Sequence, residues 1–211
     1  MSRNFLLTGT ILITAFIVWT ILICKIDVQP IGPNDTKVGF STFNNWFHQF
    51  TDVHMNIYTI TDWLGLIPIF VCITFGIIGL IQLIKRKHLF KVDFDILILG
   101  IYYLIVIFCY LFFEMNPINY RPILIDGYLE ASYPSSTTLL VLGVMPSAID
   151  QIHYRIKNVY IKRILIVTAI AFSSFMVLGR LISGVHWFTD IIGAFLFSSG
   201  LFCLYKSVIN K

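Results

Sequence analysis

Six runs of mostly apolar residues constrain this chain more than any other feature: 5–24, 58–84, 94–113, 134–149, 160–178 and 185–205. About 20 apolar residues in a helix cross a bilayer, and a helix satisfies its own backbone polar groups there. The expected fold is therefore all-α, an integral membrane bundle of six transmembrane helices forming a single domain over residues 1–211. The fourth run is the shortest and opens on polar residues. The first is expected to be a retained span, because its apolar core exceeds the usual 7–15 or so residues of a signal peptide and no small-x-small cleavage site follows. Charged residues make up only 12% of the 211, against about 25% in soluble domains, too few to coat a globule in water. The four cysteines all lie inside apolar runs, with no CxxC pair and no Cys/His cluster, so neither a disulfide framework nor a zinc site is indicated.

Lysine and arginine orient the bundle. Arg3, Lys85, Arg86, Lys87, Lys91, Arg155, Lys157, Lys162, Arg163, Lys206 and Lys211 fall on one side, and only Lys25, Lys37, Arg121 and Arg180 on the other. Both termini are thus expected in the cytoplasm. The formal charge of +4 reads as a topology signal and an attraction to anionic lipid, with no nucleic-acid partner. Three loops would face outward: 25–57, 114–133 and 179–184. In the first, Phe43, Trp46, Phe47, Phe50 and Val53 have the spacing of a helix lying in the interface; an irregular loop with interfacial aromatics reads equally well. Asp62 and Trp63 are taken as interface residues of the second span.

Ionisable residues at membrane depth are costly and mark functional sites. Arg180 closes the fifth span, and His186 and Asp190, four apart, share one face at the start of the sixth. A carboxylate bonded to an imidazole fixes its tautomer and raises its basicity, leaving the other nitrogen to attack an electrophile. Arg121-Pro122 precedes the fourth span, which opens with Ser135, Ser136 and Thr137. A helix start with free N–H groups and hydroxyl donors suits an anion, and two arginines add bidentate donors for phosphoryl oxygens. These residues together point to phosphoryl transfer at the outer membrane face through a phosphohistidine.

The order Arg-Pro, Pro-Ser-x-x and Arg-x5-His-x3-Asp resembles the type 2 phosphatidic acid phosphatase superfamily of six-span lipid phosphatases and phosphotransferases. The family pattern is Lys-x6-Arg-Pro, Pro-Ser-Gly-His and Ser-Arg-x5-His-x3-Asp. Here the counterparts read Glu114-x6-Arg121-Pro122, Pro134-Ser135-Ser136-Thr137 and Gly179-Arg180-x5-His186-x3-Asp190. The resemblance implies His186 as nucleophile and Asp190 as its orienting partner. It implies that Arg121, Arg180 and the N–H groups of Ser135–Thr137 hold the phosphoryl group, with no metal and no cofactor.

Two departures stand out. The family's second-motif histidine, the general acid for the leaving group, is Thr137, and no other His lies between His88 and His153. General acid–base help is worth about 10²–10⁴-fold, a loss felt more with an alkoxide leaving group than with a pyrophosphate. His48, His54, Glu114 and Glu130 are the outward groups that could supply a proton. The family's first lysine is Glu114. It pairs with Arg121 or Arg180, which is the favoured reading, or it is protonated, or it suits a substrate that brings a positive group such as an ethanolamine or amino-sugar head.

The expectation is a lipid phosphatase or phosphotransferase in a plasma membrane, bacterial by its size and family resemblance. Its site would open sideways to the outer leaflet, and polyprenyl pyrophosphate, phosphatidic acid and phosphatidylglycerol phosphate are the candidate substrates. The alternative is a degenerate member that binds phosphorylated lipid as a transport or regulatory component. A channel or transporter lacks support, because no broken-helix symmetry relates the halves.

Overall fold

Every apolar run folds into helix. The structure is a computed structural model and describes residues 2–210; Met1 and Lys211, the latter counted above with the basic side, lie outside the described residues. These residues form eight α-helices: α1 (Ser2–Ile23), α2 (Ser41–Thr51), α3 (Met55–Leu64), α4 (Leu66–Arg86), α5 (Phe94–Met115), α6 (Ser136–Arg155), α7 (Val159–Ile182) and α8 (Phe188–Ile209). Five stretches are long and apolar enough to cross a membrane: α1, α3 with α4, α5, α7 and α8. Their outer faces are apolar; Leu104 is 70% exposed and Phe108 67%, an exterior suited to lipid and costly in water.

The expected fourth span is α6, and it is not among those five. It packs against α4, α5, α7 and α8, so its surroundings are protein, and polar side chains are tolerated where partners exist. The Tyr102 hydroxyl donates to the Gly143 carbonyl at 2.7 Å, and Gln151 donates to Asp95 at 3.1 Å. α1 lies along α8. A Cβ at Gly9 would stand 2.9 Å from Leu204, and one at Gly200 2.8 Å from Ile13, so small residues let these two backbones approach.

The second run, expected as one span, is two helices meeting at Gly65. Pro68 explains the break: it has no N–H for the Leu64 carbonyl, and its ring would crowd that carbonyl in a continuous helix. Asp62 therefore lies at the end of a short helix beside a discontinuity. Between the first two apolar runs the helical reading holds for Phe43, Trp46, Phe47 and Phe50, while Val53 lies past the end of α2. α2 anchors through Asn44, whose Nδ2 donates to the Gly39 carbonyl at 2.8 Å and to Thr189 Oγ1 at 3.0 Å, while Phe43, Trp46 and Phe50 stay exposed. At the other end of the bundle, Arg155 pairs with Asp95 at 2.6 Å and Arg86 with Asp93 at 2.7 Å, tying α4, α5 and α6 together.

Candidate active site

A hairpin-like loop sets one wall of the site. Asp126 and Gly127 have φ of 48° and 82°, the left-handed pair that a tight two-residue turn requires. The chain then returns antiparallel, with the Arg121 N–H donating to the Glu130 carbonyl at 3.1 Å and the Ser132 N–H to the Asn119 carbonyl at 2.9 Å. Arg121 and Glu130 are thereby neighbours, as are Asn119 and Ser132. The loop closes over the first turn of α6, the last turn of α7, α3 and the end of α5. A cavity of about 560 Å³ lies among them, walled by Tyr58, Asp62, Glu114, Arg121, Glu130, Ser136, Thr137 and Arg180, among others.

The two arginines converge on one aromatic ring. The Arg180 and Arg121 guanidinium carbons lie 4.9 and 5.5 Å from the Tyr58 ring centroid, in reach of its negative face. Each guanidinium has one carboxylate partner: Asp62 Oδ1 at 2.7 Å from Arg180 Nη2, and Glu130 Oε2 at 3.0 Å from Arg121 Nε. Arg180 Nη2 also donates to the Thr137 hydroxyl. Both arginines are buried, yet Nε and Nη1 of each lack a hydrogen-bond acceptor; the Arg121–Glu130 contact is an ion pair without hydrogen-bond alignment. Buried cationic donors left unpaired are costly, and a tetrahedral oxyanion is the group whose several acceptors match them.

His186 lies in the loop between α7 and α8, with α8 starting at Phe188 rather than at 185 as expected. Its Nδ1 is 3.7 Å from Asp190 Oδ2, beyond hydrogen-bond length. The expected direct His–Asp bond is replaced by a bridge: Ser132 Oγ lies 3.2 Å from His186 Nδ1 and donates to Asp190 Oδ2. Asp190 also accepts from the Trp187 N–H at 2.9 Å and Asn119 Nδ2 at 3.4 Å. Because the serine proton goes to the carboxylate, Nδ1 must carry the hydrogen donated to the serine oxygen. Nε2 then keeps its lone pair, and it is buried without a partner. Burial, and then the charges of Arg121 and Arg180, push the His186 pKa well below its ordinary 6.5, so the imidazole is neutral at neutral pH.

Arg121, Arg180, Thr137 and Ser136 meet in the cavity wall with Glu114 and Glu130, while His186 and Asp190 lie buried outside that wall. Three expectations differ from the structure. Ser135 does not line the cavity: its N–H donates to the Asp190 carbonyl at 3.2 Å, and its hydroxyl bonds Thr138 at 3.0 Å. Glu114 pairs with neither arginine, because Asp62 and Glu130 hold them. Asp62, read from the sequence as an interface residue and not a site residue, lines the cavity and pairs with Arg180. His48 and His54 are outside the cavity wall, and His48 Nε2 lies 3.0 Å from the Gly184 carbonyl. Tyr58, Asn119 and Ser132 were missed. None of the three carries a charge that would mark it in the sequence, unlike Asp62, where an acid at membrane depth asks for a cation.

No protein-family profile matches the chain, and no curated protein sequence matches it. Among solved structures it is similar to the crystal structure of the first transmembrane PAP2 type phosphatidylglycerolphosphate phosphatase from Bacillus subtilis. The TM-score is 0.62 at 16% sequence identity, covering 96% of each chain. The chain thus has the fold of a PAP2-type transmembrane phosphatase, as the motif resemblance implied.

Proposed function

We propose that a single domain with this fold is a multi-pass membrane enzyme that takes phosphate from a lipid phosphate or pyrophosphate. The observation that carries the proposal is the pair of buried guanidiniums on Tyr58, with unpaired donors, whose charges act on a buried neutral histidine with an unpaired Nε2. His186 Nε2 attacks phosphorus as the bond to the leaving oxygen breaks, giving a phosphohistidine. Arg121, Arg180 and the free N–H groups of Ser136 and Thr137 stabilise the equatorial oxygens, where charge is spread in the transition state. Water then cleaves the P–N bond, or another acceptor takes the phosphoryl group. The Thr137 hydroxyl accepts from Arg180; it braces that arginine and is too weak an acid to protonate an alkoxide. The leaving group must depart readily, as a phosphate does from a pyrophosphate, or bring its own proton.

The basic end of the bundle is assigned to the cytoplasm with both termini, in a six-span arrangement that counts α6. The site then faces the outer leaflet of a plasma membrane, and a bacterial host fits the small size. The burial of His186 outside the cavity wall favours one other reading, a binder of phosphorylated lipid that does not turn it over. The test is phosphate release by purified protein, without added metal, from polyprenyl pyrophosphate, phosphatidic acid and phosphatidylglycerol phosphate. Release by the wild type that vanishes in a folded His186→Ala variant is the expected result. Full activity in that variant would refute the phosphohistidine, and no release from any lipid would favour the binder.

A further inference from the structure

The cavity wall carries three carboxylates, Asp62, Glu114 and Glu130, against two guanidiniums. Asp62 and Glu130 are matched one-to-one with Arg180 and Arg121. Glu114 has no cation partner among the described residues. With every group ionised the wall is one negative charge in surplus before any phosphate enters, an unfavourable field for a bare phosphate dianion. Tyr110, one turn before Glu114 and on the same face of α5, lines the cavity, as does Tyr120. A carboxylate in a cavity that also presents tyrosine rings is the chemistry that holds an ammonium group. Arg121 and Arg180 line that same cavity, so one wall offers both guanidiniums for a phosphate and a carboxylate without a cation.

Resting on the phosphatase reading, we infer that the substrate is an aminoalkyl phosphate lipid, its phosphate on Arg121 and Arg180 and its ammonium on Glu114. This class also answers the want of a general acid at Thr137. As the Nε2–P bond forms and the bond to the alkyl oxygen breaks, an ammonium two carbons away gives its proton to that oxygen, and a neutral amino alcohol leaves. Water then attacks phosphorus, the P–N bond breaks, the imidazole and inorganic phosphate are freed, and the proton lost by the water recharges the amine. The third carboxylate and the absent acid thus have one cause.

The test compares 2-aminododecyl phosphate with dodecyl phosphate, which share chain and phosphate and differ in one amine, and adds soluble O-phosphoethanolamine. Binding is measured on folded His186→Ala protein in detergent, alone and combined with Glu114→Gln or Glu114→Lys; phosphate release is measured on protein with His186 intact. The expected result is about tenfold tighter binding of the amine-bearing lipid, a ratio near one in Glu114→Gln, and an inverted ratio in Glu114→Lys. Equal binding of the two lipids, or a preference that survives Glu114→Gln, overturns the inference. O-phosphoethanolamine binding as tightly as the lipid overturns its lipid part. The binding arms decide the question even if neither compound releases phosphate, an outcome that would sink the enzymatic reading alone. Loss of turnover on both lipids equally in Glu114→Gln, with binding unchanged, would make Glu114 a proton donor and also overturn the assignment.

Discussion

On the phosphohistidine mechanism proposed above, replacing Ser132 by alanine removes an oxygen outside the cavity wall and should still cost most of the turnover. The bridge joins His186 Nδ1 at 3.2 Å to the Asp190 carboxylate. Without it the ring nitrogen and the carboxylate face each other across 3.7 Å, too far to bond, in a site where both side chains are buried. Asp190 keeps the Trp187 N–H and Asn119 as donors, so the carboxylate stays in place. His186 loses the acceptor that kept hydrogen on Nδ1, and with it the preference for a lone pair on Nε2. A hydrogen bond to a charged group is worth about 1.5–3 kcal/mol, which at 1.36 kcal/mol per decade predicts a fall in kcat of about 10- to 150-fold. KM should barely change, because Ser132 is not in the cavity wall.

The assay is steady-state phosphate release by Ser132→Ala beside Ser132→Thr, which keeps the hydroxyl. It is paired with nitrogen NMR of labelled imidazole, where the wild type should show a protonated Nδ1 and a bare Nε2. A purely structural role for the serine would lower stability without altering the tautomer or separating kcat from KM. A folded Ser132→Ala protein with kcat within about twofold of wild type and the same nitrogen signature would refute the reasoning; the scale of that judgement is set by the bond energy.

Three further outcomes are expected. Because the His186 pKa lies below its ordinary 6.5, the nucleophile stays neutral as pH falls through that value. The kcat/KM profile should hold level past 6.5 and drop only at the lower folded value; a midpoint at or above 6.5 belonging to His186 would contradict the burial argument. The same shift has a stability sign: below 6.5 the unfolded chain binds a proton that the folded site refuses, so this contribution is complete above 6.5 and is lost as pH falls from there toward the folded pKa. Gly193→Ala should destabilise the bundle, because the new Cβ would lie 2.4 Å from Tyr133 Cε2, on a ring stacked 6.0 Å from Phe16 and hydrogen-bonded to Thr20 at 2.8 Å. Overpacking of this kind costs about 1–3 kcal/mol, visible as a melting point lower by several degrees; an unchanged melting point would show that the ring has room to move.

The spans were legible because apolar length measures contact with lipid, and the same logic explains where that reading failed. α6 packs against α4, α5, α7 and α8, so its polar side chains find protein partners and its hydropathy does not report contact with lipid. Arg121, Arg180, His186 and Asp190 stood out in the sequence because ionisable groups next to apolar runs are few in such a chain, and the structure buries all four. Ser132 was not, since one serine in an outward loop carries no charge, no period and no cost until the fold places it between two buried groups. The misjudgement of Glu114 has a definite cause. Both arginines lay within range of it on the sequence argument, but the Asp126-Gly127 turn brings Glu130 back to Arg121, and the Gly65 break leaves Asp62 facing Arg180 across 118 positions of chain.

Those two pairings decide what the site can recognise. Two guanidiniums on one tyrosine ring repel, and each is held in place by a carboxylate on one edge, leaving Nη1 unpaired on each. Fixing the donors before substrate arrives is the arrangement that helps a phosphoryl transition state, because no reorganisation is needed as charge moves to the equatorial oxygens. The same carboxylates remove the positive surplus that would otherwise draw in any anion. On the proposed function, discrimination then falls to Glu114, the one charge in the wall without a cation partner among the described residues, so the acid that replaces the family's lysine is the residue from which selectivity would come.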